Sequence, residues 1–192
     1  MEKFSKIKPK EYKNFFDKDK EEVEYKDEWI KIIKYEDWSI IKENDTVFCI
    51  PYLIEKNQFI IRQEYIPTFK YQDGQEYHLA LVGGGIEDGE TPEMALLREI
   101  QEEAGLVLRD TYKIDFEPPL FKSKSSTGKY HIAIVPLNEN DYYEIPIKGD
   151  GSKVEKLSQT VKLDLKYINN LNPSDVLTQL MLMKLKDYTN LK

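Results

Sequence analysis

Cysteine is almost absent from this chain: Cys49 stands alone, which excludes an intrachain disulfide framework and a cysteine-based zinc site. Two histidines, His78 and His131, are too few for a histidine-rich metal centre. Arginine is scarce as well, with only Arg62, Arg98 and Arg109 among 28 basic residues. Biased composition accounts for much of that preference for lysine. The arginine positions are nonetheless the ones to inspect for planar, bidentate contacts. No apolar run approaches the roughly 18 residues of a membrane helix. Residues 1–10 are polar and lack the apolar core of a secretion signal. A cytoplasmic protein without a membrane partner is the expectation. Positive charge is in deficit, 28 basic against 35 acidic residues for a net −7. Gripping bare nucleic acid is therefore not its main task, although a local basic groove is compatible with that balance.

The 192 residues, 40% of them hydrophobic, suit one domain with a sizeable core. No internal repeat and no clear linker interrupts them. Residues 1–28 form a charged N-terminal extension with scattered aromatics, and 29–192 are expected to form the single domain. Short strands are predicted at 29–35 and 38–42. The β-rich runs 46–54 and 58–65 are joined by Glu55-Lys56-Asn57, a hairpin signal. A loop with Pro67, Asp73 and Gly74 follows. A strand over 78–82 then runs into Gly83-Gly84-Gly85. The clearest helix starts with Thr91 as N-cap, Pro92 at the first position and Glu93 in the first turn, and stops at Gly105. Further strands are predicted at 111–116, 129–137 and 154–165, and a last helix carries Val176, Leu177, Leu180, Met181 and Leu185. Strands outnumber helices without β-α-β alternation, so the fold class is α+β with a mixed sheet rather than a doubly wound one.

The chemistry concentrates between Gly84 and Leu106. Glu99, Glu102 and Glu103 stand at i, i+3 and i+4 of the helix, on one face, with Leu97, Ile100 and Ala104 as a neighbouring apolar stripe. No lysine or arginine falls within that arc, so the carboxylates repel one another unless a cation or solvent screens them. Hard divalent cations prefer such oxygens and share a substrate's phosphates. Three glycines after a strand let backbone groups approach a ligand closely. No Gly-Lys-Ser/Thr follows them, so this is not a Walker A loop.

The complete spacing is Gly84, five residues, Glu90, seven residues, Arg98-Glu99-Ile100, one residue, Glu102-Glu103, one residue, Gly105-Leu106. On these residues the chain resembles the Nudix hydrolases, which cleave a nucleoside diphosphate linked to another moiety. The resemblance implies an α/β/α sandwich around a mixed β-sheet, here with an N-terminal β extension, and a Mg²⁺ or Mn²⁺ cofactor. By that resemblance Glu99 and Glu103 would be principal metal ligands. Glu102 would be a further ligand or would orient the nucleophilic water, and the carbonyl of Gly83 would complete the metal shell. Gly84 would lie against the substrate, and Glu90, Arg98 and Gly105 would support the motif.

Within the superfamily, 46–65 with Arg62-Gln63-Glu64-Tyr65 and the run Gly83-Gly-Gly-Ile-Glu-Asp-Gly-Glu90 are similar to the ADP-ribose pyrophosphatases. That similarity implies Arg62 on phosphate or ribose, with Tyr65, Phe69 or Trp29 as candidates to stack on adenine. It also implies a homodimer through residues 29–65, where Trp29, Ile32, Ile33 and Trp38 are too apolar for a free tail. The chain departs from that group at Ala80-Leu81-Val82, which lacks the usual acidic residue and proline. It also departs at Phe121-Lys122-Ser123, where proline is usual. No late acidic residue aligns as the catalytic base, leaving Asp141, Glu144, Asp150 and Glu155 as candidates, with His78 and His131 read mainly as strand residues. Other substrates, namely NADH, a dinucleoside polyphosphate or a capped RNA end, stay open, as does a non-catalytic nucleotide sensor.

Overall fold

The computed structural model describes residues 22–35, 37–148, 151, 153 and 155–190. A three-stranded antiparallel sheet comes first: β1 (Glu22–Lys26), β2 (Ile30–Tyr35) and β3 (Trp38–Glu43), in that order. β1 falls inside the stretch expected to be an extension, so regular structure begins before residue 29. This sheet is tied to the rest of the chain through Ile41, which bridges Ser126 and exchanges hydrogen bonds with Ser125 and Thr127.

The central sheet is built on β4 (Thr46–Leu53) and β5 (Gln58–Tyr65), the expected hairpin, with Asn57 at φ 52° in its turn. The two strands pair only at Tyr52–Phe59 and Leu53–Gln58. Below that they part, and a wedge enters between them. β6 (Tyr77–Ala80) runs antiparallel along β5, the chain reverses at Leu81, and β7 (Val82–Gly85) runs antiparallel along β4. β10 (Lys129–Leu137) lies parallel to β4, which makes the sheet mixed, with β9 (Leu120–Phe121) beyond it. β12 (Gln159–Asp164) closes the other side on β5. A small ladder joins β8 (Leu106–Leu108) to β11 (Tyr142–Glu144).

Side chains alternate across this sheet, as the two-residue period requires. Val47, Cys49, Ala133, Val135 and Leu137 face α2 (Pro92–Ala104), against Ala95, Leu96, Ile100 and Ala104. Ile50, Phe59, Ile61 and Ile132 face the opposite side, against Met181, Leu182 and Leu185 of α3 (Val176–Thr189). This is the expected α/β/α sandwich. Burial of Leu96 and of Ile100 contributes about 1.5–3 kcal/mol each.

Several expectations need correction. The apolar stripe of α2 runs through Leu96, with Leu97 only half-buried. The loop after Pro67 holds a short helix, α1 (Pro67–Asp73), none of whose residues is buried. Residues 111–116 form no strand. Tyr112, Ile114 and Phe116 pack on the α2-side core from an irregular segment, so their alternation reports burial and not ladder pairing. The expected strand over 154–165 is shorter, preceded by a 3-10 turn, Glu155–Leu157, and followed by another, Leu165–Asn170.

The start and end of α2 follow the sequence signals. The Thr91 hydroxyl accepts from Met94 N–H at 3.2 Å, and Gly105 takes the left-handed conformation at φ 64°. A Cβ on Gly105 would lie 2.6 Å from the Ile145 carbonyl oxygen, whose own N–H donates to Gly105 O. Gly105→Ala is therefore expected to destabilise the fold by more than the ~1 kcal/mol of a left-handed alanine, measurable as a fall in the urea midpoint at unchanged m-value. An unaltered midpoint would mean that the β11 connection yields freely.

Candidate active site

The wedge brings the glycine strand over the carboxylate face of α2. Gly83 N–H donates to Glu103 Oε2 at 2.8 Å, joining β7 to the helix. A Cβ at Gly83 would run into the Val47 carbonyl and Phe48, and one at Gly84 would run into the Glu99 carboxylate. Both glycines are thus required by close approach, the first to β4 and the second to the Glu99 side chain.

Arg98 organises the loop. Its Nε and Nη2 reach Glu90 Oε1 and Oε2 at 3.0 and 3.1 Å, a bidentate pair, and Nη2 also donates to the Gly85 carbonyl at 3.0 Å. Nη1 meets Glu99 Oε1 at 2.7 Å and Glu102 Oε2 at 3.3 Å. The guanidinium is raised further by its Glu90 bond, and Glu90 is held below the usual carboxylate range by Arg98 and by Glu87 N–H. Arginine therefore screens the acidic arc, contrary to the sequence expectation of a face without basic partners. Arg98 reaches in from one side and Arg62 from the sheet.

Arg62, expected at phosphate or ribose, is buried on β5. Its Nε lies 2.7 Å from Glu64 Oε1 and 3.2 Å from Glu103 Oε1. Burial pushes Glu103 up to about 9 against the pull of Arg62 and the Gly83 N–H, and holds Glu64 above the usual carboxylate range. The Thr160 hydroxyl donates to the Glu103 carbonyl, so β12 also fixes the end of α2. Glu64 was not singled out in the sequence. Its signal was the two-residue spacing from Arg62, which puts both on one face of β5. The acid absent at Ala80, which pairs with Arg62 across the ladder, is thus matched by one two residues along the partner strand.

Of the base candidates, Asp141 and Glu144 are engaged elsewhere. Asp141 accepts from Thr111, from Asn138 N–H and from the Asn138 amide, which hold it below the usual carboxylate range. Glu144 pairs with Lys162 at 2.7 Å and Lys56 at 3.3 Å. Asp150 lies outside the described residues, and Glu155 opens the 3-10 turn. His131 Nε2 is 2.9 Å from Asp45 Oδ2. His78 is buried, with Nδ1 3.3 Å from Ser174 Oγ and its ring 4.4 Å from that of Phe69; its Nε2 has no hydrogen-bond partner among the described residues. Tyr65 meets Tyr77 edge-on, and Trp29 is exposed. Burial pushes the Cys49 thiol up, so it packs as an apolar side chain and offers no thiolate.

Among the described residues, no three His, Cys, Asp or Glu side chains are gathered closely enough to hold an ion. As placed, Glu99 and Glu102 turn to Arg98, and Glu103 turns to Arg62 and Gly83. The donor set is nonetheless all hard oxygen, three carboxylates beside glycine backbone, which suits Mg²⁺ or Mn²⁺. Among the described residues, no helix is long and apolar enough to cross a membrane.

A NUDIX domain model matches residues 42–163, from the end of β3 to β12. Among solved structures, an ADP compounds hydrolase is similar in fold, with a TM-score of 0.61 and 18% sequence identity, over 88% of this chain and 91% of its own. No curated protein matches the sequence significantly. The family match takes in well over half of the chain and all of the glycine loop, helix and carboxylates described above: the chain belongs to the Nudix hydrolase family.

Proposed function

We propose that this chain is a divalent-cation-dependent pyrophosphohydrolase acting on a nucleoside diphosphate joined to a further group, with ADP-ribose or a nucleoside diphosphate sugar as substrate. The observation that carries this reading is the shared Arg98 fork, which gathers Glu90, Glu99, Glu102 and the Gly85 carbonyl beside Glu103. Glu99 and Glu103 are the principal cation ligands, Glu102 a further ligand or the orienter of water, and the Gly83 carbonyl the backbone donor. A bound Mg²⁺ or Mn²⁺ neutralises the pyrophosphate and lowers the pKa of its water. The chain's own part is to hold the carboxylates in register against the glycine strand, with Gly84 leaving room for Glu99. The products are two phosphate esters. ADP-ribose is favoured by the 62–65 segment on β5 and by the similarity in fold to an ADP compounds hydrolase. The assay is a substrate panel with Mg²⁺ and with Mn²⁺, products separated by chromatography. Cleavage of NADH, a dinucleoside polyphosphate or capped RNA in place of ADP-ribose reassigns the substrate, and ligand binding without any turnover makes the chain a sensor.

A homodimer is part of the same proposal. Val23, Tyr25 and Trp38 on the three-stranded sheet and Trp29 in the bend between β1 and β2 are exposed, whereas β4 and β5 are largely buried within the protein. The proposed contact is therefore moved from 29–65 to β1 to β3, which begins before residue 29 and leaves out β4 and β5. Sedimentation of the full chain at tens of micromolar is expected to give a dimer, and Trp29→Ser with Trp38→Ser a monomer. A monomeric wild type removes the proposal.

Two substitutions and a control test the site itself. Glu103→Gln keeps the shape and removes one anionic ligand, so kcat is expected to fall by about 10²-fold, as when transition-state charge stabilisation is lost. Glu93→Gln, on the same helix but turned to Tyr112, serves as the control and should leave turnover nearly intact. Arg98→Lys keeps the charge but cannot span four acceptors. It is expected to cost about 1.5–3 kcal/mol of stability, the scale of a charged hydrogen bond, seen as a lower melting temperature. An unmoved melting temperature would show that the fork is dispensable.

A further inference from the structure

We propose that Glu64 is a positioning residue of this site: by taking the Nε–H of Arg62 it keeps that guanidinium from closing onto Glu103 and leaves a Glu103 oxygen open to a divalent cation. The inference rests on the reading of Glu99, Glu102 and Glu103 as cation ligands.

Arg62 and Glu64 project from the same face of β5, two residues apart. The Arg62 side chain is 4% exposed, so its charge cannot turn to solvent and must be shared among the carboxylates around it. That sharing is unequal. The 2.7 Å contact to Glu64 Oε1 is a hydrogen bond, whereas Glu103 Oε1, at 3.2 Å, feels the charge without receiving the proton. Glu103 Oε2 is already taken by Gly83 N–H at 2.8 Å. The partner of Oε1 therefore decides how much of this carboxylate a cation can reach. Across the ladder from Arg62 stands Ala80, which offers no side-chain acceptor, and Glu99 is engaged by Arg98. Without Glu64, the Nε–H has Glu103 as its nearest anionic acceptor, and arginine and carboxylate become a neutral pair. With Glu64, one guanidinium lies between two carboxyl groups, its Nε–H is spent on Glu64, and Glu103 Oε1 is left without that hydrogen bond.

The test is direct Mn²⁺ binding, by the electron paramagnetic resonance signal of free Mn²⁺, on the full chain without substrate. Glu64→Ala is expected to weaken binding by about 10-fold, the scale of coupling between contacting charged groups. Glu64→Gln should weaken it less, because its amide oxygen still accepts from Arg62. The double variant Glu64→Ala with Arg62→Met should bind nearly as well as wild type, since the competing guanidinium is gone. A purely structural role would not give that recovery. Thermal melts check folding, and Glu64→Gln, alone and with Arg62→Met, gives the same comparison if the alanine variant does not fold. Wild-type affinity in Glu64→Ala overturns the proposal. So does a loss that the second substitution fails to restore, which makes Glu64 a ligand in its own right. If wild type binds no Mn²⁺, or Glu99→Gln leaves its affinity unchanged, the cation-site reading falls and this inference with it. Raised KM in Arg62→Met with unchanged Mn²⁺ affinity in every variant returns Arg62 to the substrate.

Discussion

The arrangement of this site depends on one planar cation among anions. Arg98 presents five N–H donors in a fixed fork, and the structure uses them on three carboxylates and one backbone carbonyl. Without such a partner, three glutamates on one face of a helix would repel one another and favour fraying of its last turns. With it, the loop from Gly85 to Glu90 is fastened to the middle of α2, and the helix face keeps its glutamates side by side. The scarcity of arginine fits this picture. Arg98 and Arg62, two of only three in the chain, both lie among the carboxylates of α2 and β5.

The second constraint is the wedge. β4 and β5 leave the hairpin paired at only two positions, because β6 and β7 must enter between them. Only a strand without side chains can then pass close to β4 on one side and to Glu99 on the other, which is the task of Gly83 and Gly84. The wedge also places β6 opposite Arg62 and Glu64, so the sheet contributes its own charged pair to a site that would otherwise belong to the helix alone. Packing on the two faces, α2 on one and α3 on the other, holds the sheet rigid while the polar groups sit at the opening of the wedge.

Much was legible beforehand where local chemistry and tertiary need coincide. Thr91, Pro92 and Gly105 delimit α2 because capping is decided within a few residues. β5 and β10 agree with their predicted limits because alternation and burial agree along their length. Elements without that agreement escaped. α1 buries nothing, so no periodic apolar signal marks it, and β8 and β11 are three residues each, below the length at which alternation can be read. Residues 111–116 have the alternation but pack as an unpaired extended segment.

The sequence by itself determined the spacing of Gly84, Glu90, Arg98, Glu99, Glu102 and Glu103, and hence the family and the helix face on which the acids stand. These are short-range properties, set by 3.6 residues per turn and by the conformational freedom of glycine. Only the tertiary structure decided which charges meet. Arg62 and Glu103 are 41 positions apart and come together because β5 lies beside β6 and α2 crosses the sheet, so Arg62 is buried against carboxylates instead of standing on an open strand. Asp141 and Glu144, candidate bases by their place late in the chain, are drawn to Thr111, Asn138, Lys56 and Lys162 for the same reason. Electrostatic partners are chosen by distance and burial in space, and neither is written in the spacing along the chain.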